Sequence, residues 1–158
     1  MDQVMIERWN EVVGRNDNVY HLGDFALAKK DRIREILSSL NGRIHLIRGN
    51  HDGEIKGDLI KEFVWVKDYH EVKILDDQID TKIPIIMSHY PFETWNKSHW
   101  GSWALHGHCH NDLPDRGKRR IDVGVDGHDF RPLSFEDVRD LMEGRTFNPP
   151  GKHDDVIG

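Results

Sequence analysis

At 158 residues, 37% of them hydrophobic, the chain is long enough to bury one core unaided and suits a single domain. Acidic residues outnumber basic ones by 28 to 22, a formal charge of −6, which argues against a broad nucleic-acid-binding surface. The single cysteine, Cys109, excludes a disulfide framework and a four-cysteine zinc site and fits a reducing compartment. The longest plain apolar run, Ile83 to Met87, is too short to cross a bilayer, and the first residues show no charged-then-apolar leader. The expectation is a soluble, cytoplasmic protein without a membrane partner.

In chain order, Val4, Met5, Trp9, Val12 and Val13 fall at helical spacing, and Gly14 can end that helix. "NVYHLGD" reads as a short strand running into a Gly-Asp turn, "RIREILSSLNG" as an amphipathic helix with an Asn-Gly stop, and "RIHLIRGNHD" as a strand entering a polar loop. That order is β-α-β. "EVKIL", "KIPIIMSHY", "SWALHGH" and "RIDVGVD" read as four more strands, close enough together to suggest antiparallel or mixed pairing. A final helix is capped by Ser134 with Asp137 three positions on, has Leu133 and Val138 as a hydrophobic staple, and stops at Gly144. These elements place one domain over 1–147 and a flexible Pro/Gly tail over 148–158.

The decapeptide "WALHGHCHND", Trp103 to Asp112, ends an apolar run in His106, His108 and His110. If it is extended, residues two apart share a face, so His108 and His110 can converge on one metal. Four predicted strands end in such groups: Asp24; Asn50 with His51 and Asp52; His89; and the pair His108 and His110. A lone His or Asp is usually a satisfied polar group, but four at strand ends are harder to dismiss.

"GD" at Gly23–Asp24, "GNHD" at Gly49–Asp52, "SHY" at Ser88–Tyr90 and "GHCH" at Gly107–His110 together resemble the calcineurin-like metallophosphoesterases, especially small phage and bacterial members. The resemblance covers most of the chain and implies an α/β fold, a β-sandwich of mixed sheets flanked by helices. It implies two metal ions bridged by one carboxylate, the place of Asp24, with Asn50, His89 and His108 around one ion and His110 at the other. Mixed nitrogen and oxygen donors suit a divalent transition metal such as manganese, zinc or iron. His51 resembles the group that sits by the leaving group, with Asp52 holding its ring, so the implied catalytic pair is His51 and Asp52. Gly23, Gly49 and Gly107 would let the backbone turn near the metals. The implied substrate is a phosphorylated small molecule or nucleotide, a monoester or a diester.

The family's first block, Asp-x-His on an initial strand, is not found ahead of Asp24. The expectation is therefore a sheet whose first core strand is missing, with a gap in the core, unpaired strand edges and one ion held firmly by Asp24, Asn50, His89 and His108. "DYH" at Asp68–His70 follows the Asn50 block and reads as a decoy; His21 or His128 could repair the second site. The other reading is a non-catalytic metal-binding scaffold. "RGKRR", Arg116 to Arg120, reads as a solvated turn, and Trp95, Trp100 and Trp103 as core or rim aromatics in preference to a base-stacking pocket.

Overall fold

A computed structural model describes residues 1–147; the tail expected over 148–158 lies outside the described residues. Helix α1, Gln3–Val12, is capped by Asp2, whose side chain accepts from the Met5 amide, and it buries Ile6 and Trp9. Strand β1 (Asn18–His21), helix α2 (Lys30–Ser39) and strand β2 (Arg43–Ile47) form the expected β-α-β unit, β1 and β2 pairing in parallel from Asn18 with Arg43 to His21 with Leu46. A tight turn at Gly42 joins α2 to β2; its φ of +97° and the Val13 methyl 2.9 Å from any Cβ placed there require glycine. A 3-10 helix, Gly57–Glu62, buries Leu59 and leads to β3, Val66–Lys67, parallel to β2. Two residues give no alternating pattern to read, so the sequence did not announce β3.

The second sheet has the order β4 (Tyr69–Asp76), β5 (Thr81–Ser88), β6 (Trp103–His106), β7 (Arg120–Asp122). β4 and β5 pair antiparallel, whereas β5, β6 and β7 run parallel, which is the mixed pairing expected. Helix α3, Phe135–Met142, carries the full reciprocal cap between Ser134 and Asp137. Leu133 and Val138 both join the apolar cluster beneath it.

Two apolar clusters hold these parts. One packs Ile6, Trp9 and Val13 and the α2 residues Ile33 and Ile36 onto Ile44 and Leu46 of β2. The other lies between the sheets, joining Leu22 and Ile47 from the first to Ile85, Met87 and Leu105 of the second and to Val138 of α3. Each fully buried Ile or Leu contributes roughly 1.5–3 kcal/mol by leaving water. The inter-sheet space is not filled: a cavity of about 610 Å³ runs along β1, walled by residues that include Met5, Val19, Leu22, Leu105, Leu133 and Val138. β1 is an edge strand, paired only with β2 among the described residues.

Two expectations need correction. In "WALHGHCHND" only Trp103–His106 is a strand; His108, His110 and Asn111 all have positive φ, so the alternation of faces does not extend to the two histidines. "RIDVGVD" leaves the sheet after Asp122 and turns into a 3-10 helix at Val125–Gly127. Trp103 is buried and stacks on Phe135, Trp95 donates to the Ser102 carbonyl and Trp100 is exposed, so the three tryptophans form no common pocket. The basic run is spent locally: Arg116 and Lys118 pair with Glu93, and Arg119 and Arg120 donate to the Gly101 and Phe92 carbonyls. No helix is long and apolar enough to cross a membrane among the described residues.

Candidate metal centre

The loops after β1, β2, β5 and β6 carry Asp24, Asn50–Asp52, His89 and His108, so the groups singled out in the sequence sit at the carboxyl ends of parallel strands. This is where open α/β sheets gather ligand-binding groups. Asp24, His89 and His108 each offer a ligand atom, and these atoms lie within 4.8 Å of one another. Asn50 completes the group through its carbonyl oxygen.

The protonation pattern follows from the partners. His89 is buried, and its Nδ1 donates to the Leu22 carbonyl at 2.7 Å, which leaves Nε2 as a lone pair. That lone pair faces Asn50 Oδ1 at 2.8 Å, His108 Nδ1 at 3.2 Å and Asp24 Oδ2 at 3.5 Å. His108 Nδ1 is also 3.2 Å from Asn50 Oδ1. Four atoms that can each offer a lone pair converge here, a set that could hold a cation, and a ligand histidine whose other nitrogen is anchored on a backbone carbonyl is the usual second support of such a site. Two imidazoles, an amide oxygen and a carboxylate suit manganese, zinc or iron better than a thiolate-loving or all-oxygen ion.

The backbone is shaped to bring these groups together. Asp24 has φ +55°, and Gly23, at φ +102°, would place a Cβ 2.2 Å from His89 Nδ1. A Cβ on Gly49 would lie 2.4 Å from the Asp24 amide nitrogen. A side chain at either position would displace Asp24 or His89. Asp52 fixes the loop pair. Its carboxylate accepts from the amides of Asp24 and Phe25, both at 2.8 Å, and of Gly49 at 2.7 Å, and Asp52 is 1% exposed. The expected bond to the His51 ring is absent: Asp52 clamps backbone. His51 itself is exposed at the rim, and its amide donates to Asp24 Oδ1 at 2.8 Å.

His110 is not brought into the group. Its Nδ1 bonds Asp126 at 2.6 Å, and that hydrogen bond raises its pKa although the ring is largely exposed. Of the proposed replacements, His21 accepts the Gly23 amide on Nδ1 and lies between Trp9 and Phe25, where burial pushes its pKa down to about 4. His128 Nε2 donates to the Asp122 carbonyl. His70 lies opposite Met87 in the β4–β5 pair, packs against Trp65 with rings 4.6 Å apart, and is outside the Asp24, His89 and His108 group. His106 is buried and held below its ordinary pKa by desolvation, and Cys109, whose thiol burial pushes up, is not a ligand. Sequence reasoning missed Asp126 as the partner of His110, the Leu22 carbonyl as the anchor of His89, and Tyr90, whose ring lies 4.9 Å from His89 and 4.7 Å from His108. A carbonyl leaves no mark in a sequence; Asp126 sat in an acidic stretch read as a strand.

The fold and the donor set thus give a mixed α/β protein of two sheets with, among the described residues, an Asp24, His89 and His108 cluster that could hold a metal ion. No model of a known protein family matches the chain. It is 31% identical over 151 residues to the uncharacterized protein MJ1445 of Methanocaldococcus jannaschii, covering 90% of this chain and 76% of that protein. It is 31% identical over 173 residues to the gene 66 protein of Mycobacterium phage D29, covering 90% of this chain and 85% of the phage protein. The chain belongs to the family of these proteins. A solved structure, the protein of unknown function AQ665 from Aquifex aeolicus, shares its fold with a TM-score of 0.65 and 25% identity over 87% of this chain and 83% of that one.

Proposed function

We propose that the chain is a metal-dependent phosphoesterase of the calcineurin-like kind, cytoplasmic, its paired sheets being that family's β-sandwich. The observation that carries the reading is the convergence of lone pairs from Asp24, Asn50, His89 and His108 at the strand ends. A divalent transition metal held there supplies Lewis acidity toward a phosphoryl oxygen and toward the attacking water. Asp24 supplies the one negative charge of the donor set, and its second oxygen is held by the His51 amide, so the carboxylate is already oriented. That same bond places the exposed His51 ring at the rim, where it can donate a proton to a departing alkoxide. Asp52 keeps both ligand loops in register, which lowers the reorganisation needed when substrate arrives. The open, exposed side of the site, at Asn50, His51 and His108, suits a phosphorylated small molecule or nucleotide that leaves its other end in solvent.

The test is hydrolysis of bis(p-nitrophenyl) phosphate and p-nitrophenyl phosphate with Mn²⁺, Zn²⁺ or Fe²⁺, by the wild type and by His51→Gln. Turnover that needs the metal and falls with His51→Gln supports the reading; metal-independent turnover, or none with either ester, contradicts it. One observation favours a second reading, a metal-binding scaffold without catalysis: His110 is engaged by Asp126, so only one ion has a full set of ligands. A chain that retains metal and hydrolyses neither ester would be that scaffold.

A further inference from the structure

The second sheet ends in a long strand with one side unused. β4, Tyr69–Asp76, pairs with β5, and among the described residues no backbone group of Tyr69–Leu75 bonds anything else. The other outer strands, β1, β3 and β7, have four, two and three residues against eight in β4, so β4 offers the longest edge. Such an edge is a template for another strand, and folded proteins usually blunt it with proline, a bulge or isolated charges. β4 has no proline, and it pairs with β5 residue for residue, without a bulge.

The charges on β4 are matched to one another. Tyr69, Glu71, Lys73 and Leu75 are exposed on one face, whereas Val72 and Ile74, on the other, pack on the apolar cluster. An antiparallel pairing with a second β4, about a two-fold axis at Val72, puts Glu71 opposite Lys73 of the second copy and Lys73 opposite its Glu71. The same register puts Tyr69 opposite Leu75 on both sides of the axis, and these are 41% and 52% exposed in the single chain. On the inner face Val72 meets itself and His70 meets Ile74, so the apolar sides of both sheets stay together. Moving the axis by one residue sets Glu71 on Glu71 or Lys73 on Lys73. Placing it between two residues turns the solvent face of one copy to the interior side of the other.

Both charges are available for this use. The Glu71 carboxylate accepts from the Asn96 side-chain amide at 2.7 Å, and neither Glu71 nor Lys73 has an ion-pair partner among the described residues. Asp76, at the end of the run, is buried and paired with Arg139 at 3.0 Å, so its charge is already matched.

We propose that β4 is a dimerisation edge: a second copy of this chain adds its own β4 antiparallel, across a two-fold axis at Val72, and joins the two four-stranded sheets into one. Facing opposite charges and apolar pairs support the backbone ladder. From Tyr69 to Leu75 the pairing extends about 23 Å, at roughly 3.3 Å per residue. An interface one strand wide is at the small end of specific interfaces, so the dimer is weak and concentration-dependent. The proposal rests on neither the metal nor the phosphoesterase reading.

The test is sedimentation velocity of the full chain in EDTA, from roughly 1 µM to 1 mM, the span over which a weak complex forms. The wild type should pass from monomer to dimer. Glu71→Lys and Lys73→Glu each set like charges across the axis twice and should weaken the dimer at least about tenfold, while the double swap restores it. Disulfide formation reads the register: on a Cys109→Ser background, Val72→Cys should give a linked dimer, because facing Cα atoms are about 4.5–5.5 Å apart, within disulfide reach. Lys73→Cys, whose two copies are staggered along the strands, should not. Circular dichroism checks that each variant is folded. A wild type still monomeric at the top of the range would overturn the proposal. So would a dimer indifferent to both single charge changes, a folded double swap that stays monomeric, or equal cross-linking through position 73.

Discussion

The loops after β2 and β6 both deliver ligands to the centre, and they are held in opposite ways. The first is tied from inside: Asp52, buried, takes three backbone amides from two chain segments, and Arg48 adds donations to the Asp52 and Ile55 carbonyls at 3.2 and 2.8 Å. The second is tied from outside, by Asp122 on the Asn111 amide and Asp126 on His110, both in solvent reach, with His108, His110 and Asn111 all at positive φ. Charge-assisted bonds strengthen with burial and are screened by water, so the Asp24–Asn50 side is rigid and the His108 side adaptable. One half of the site is tied from a buried carboxylate; the other is held at the surface.

This contrast sets the order of expected effects. Asp52→Ala takes the buried acceptor from three amides, at ~1–3 kcal/mol each, so urea denaturation should show a loss of more than about 3 kcal/mol together with loss of metal. His51→Gln touches no ligand and should lower kcat by the 10² to 10⁴ usual for a general acid, on the order of 3–5 kcal/mol in the barrier, with metal content unchanged by elemental analysis. Asp126→Asn on the adaptable side should cost less than about 1 kcal/mol and leave the metal in place, because an exposed pair contributes little. Were Asp126→Asn to strip the metal, the outer loop would be as essential as the inner one.

His21 adds a dependence on pH. Burial between Trp9 and Phe25 lowers its folded pKa to about 4 from the ordinary 6.5. The unfolded chain therefore binds the proton first, and stability should fall as pH drops from about 6.5 toward 4, with no further loss from this group below that. His21→Phe should flatten that part of a stability-against-pH curve.

Much of this was legible in the chain. Period marked α1 through Val4, Met5, Trp9, Val12 and Val13, although Val4 and Val12 are exposed and Ile6 is buried, and the reciprocal cap of Ser134 and Asp137 marked α3. The cluster was legible because Asp24, Asn50, His89 and His108 each follow a recognisable strand. The direction of His110 was not, since three non-glycine residues at positive φ break the alternation that placed it beside His108. Nor was the work of Asp52, whose amide partners at Asp24 and Phe25 lie 28 and 27 residues away, so that only folding puts carboxylate and donors together. The cavity along β1 became visible only once both sheets were placed.

The most direct test of the account is metal content after gel filtration, for the wild type and His89→Ala, both loaded with Mn²⁺ or Zn²⁺ and desalted. The account predicts close to one equivalent in the wild type and essentially none in His89→Ala, with circular dichroism showing that the variant is still folded. A wild type without metal, or a folded His89→Ala that holds as much as the wild type, would contradict it.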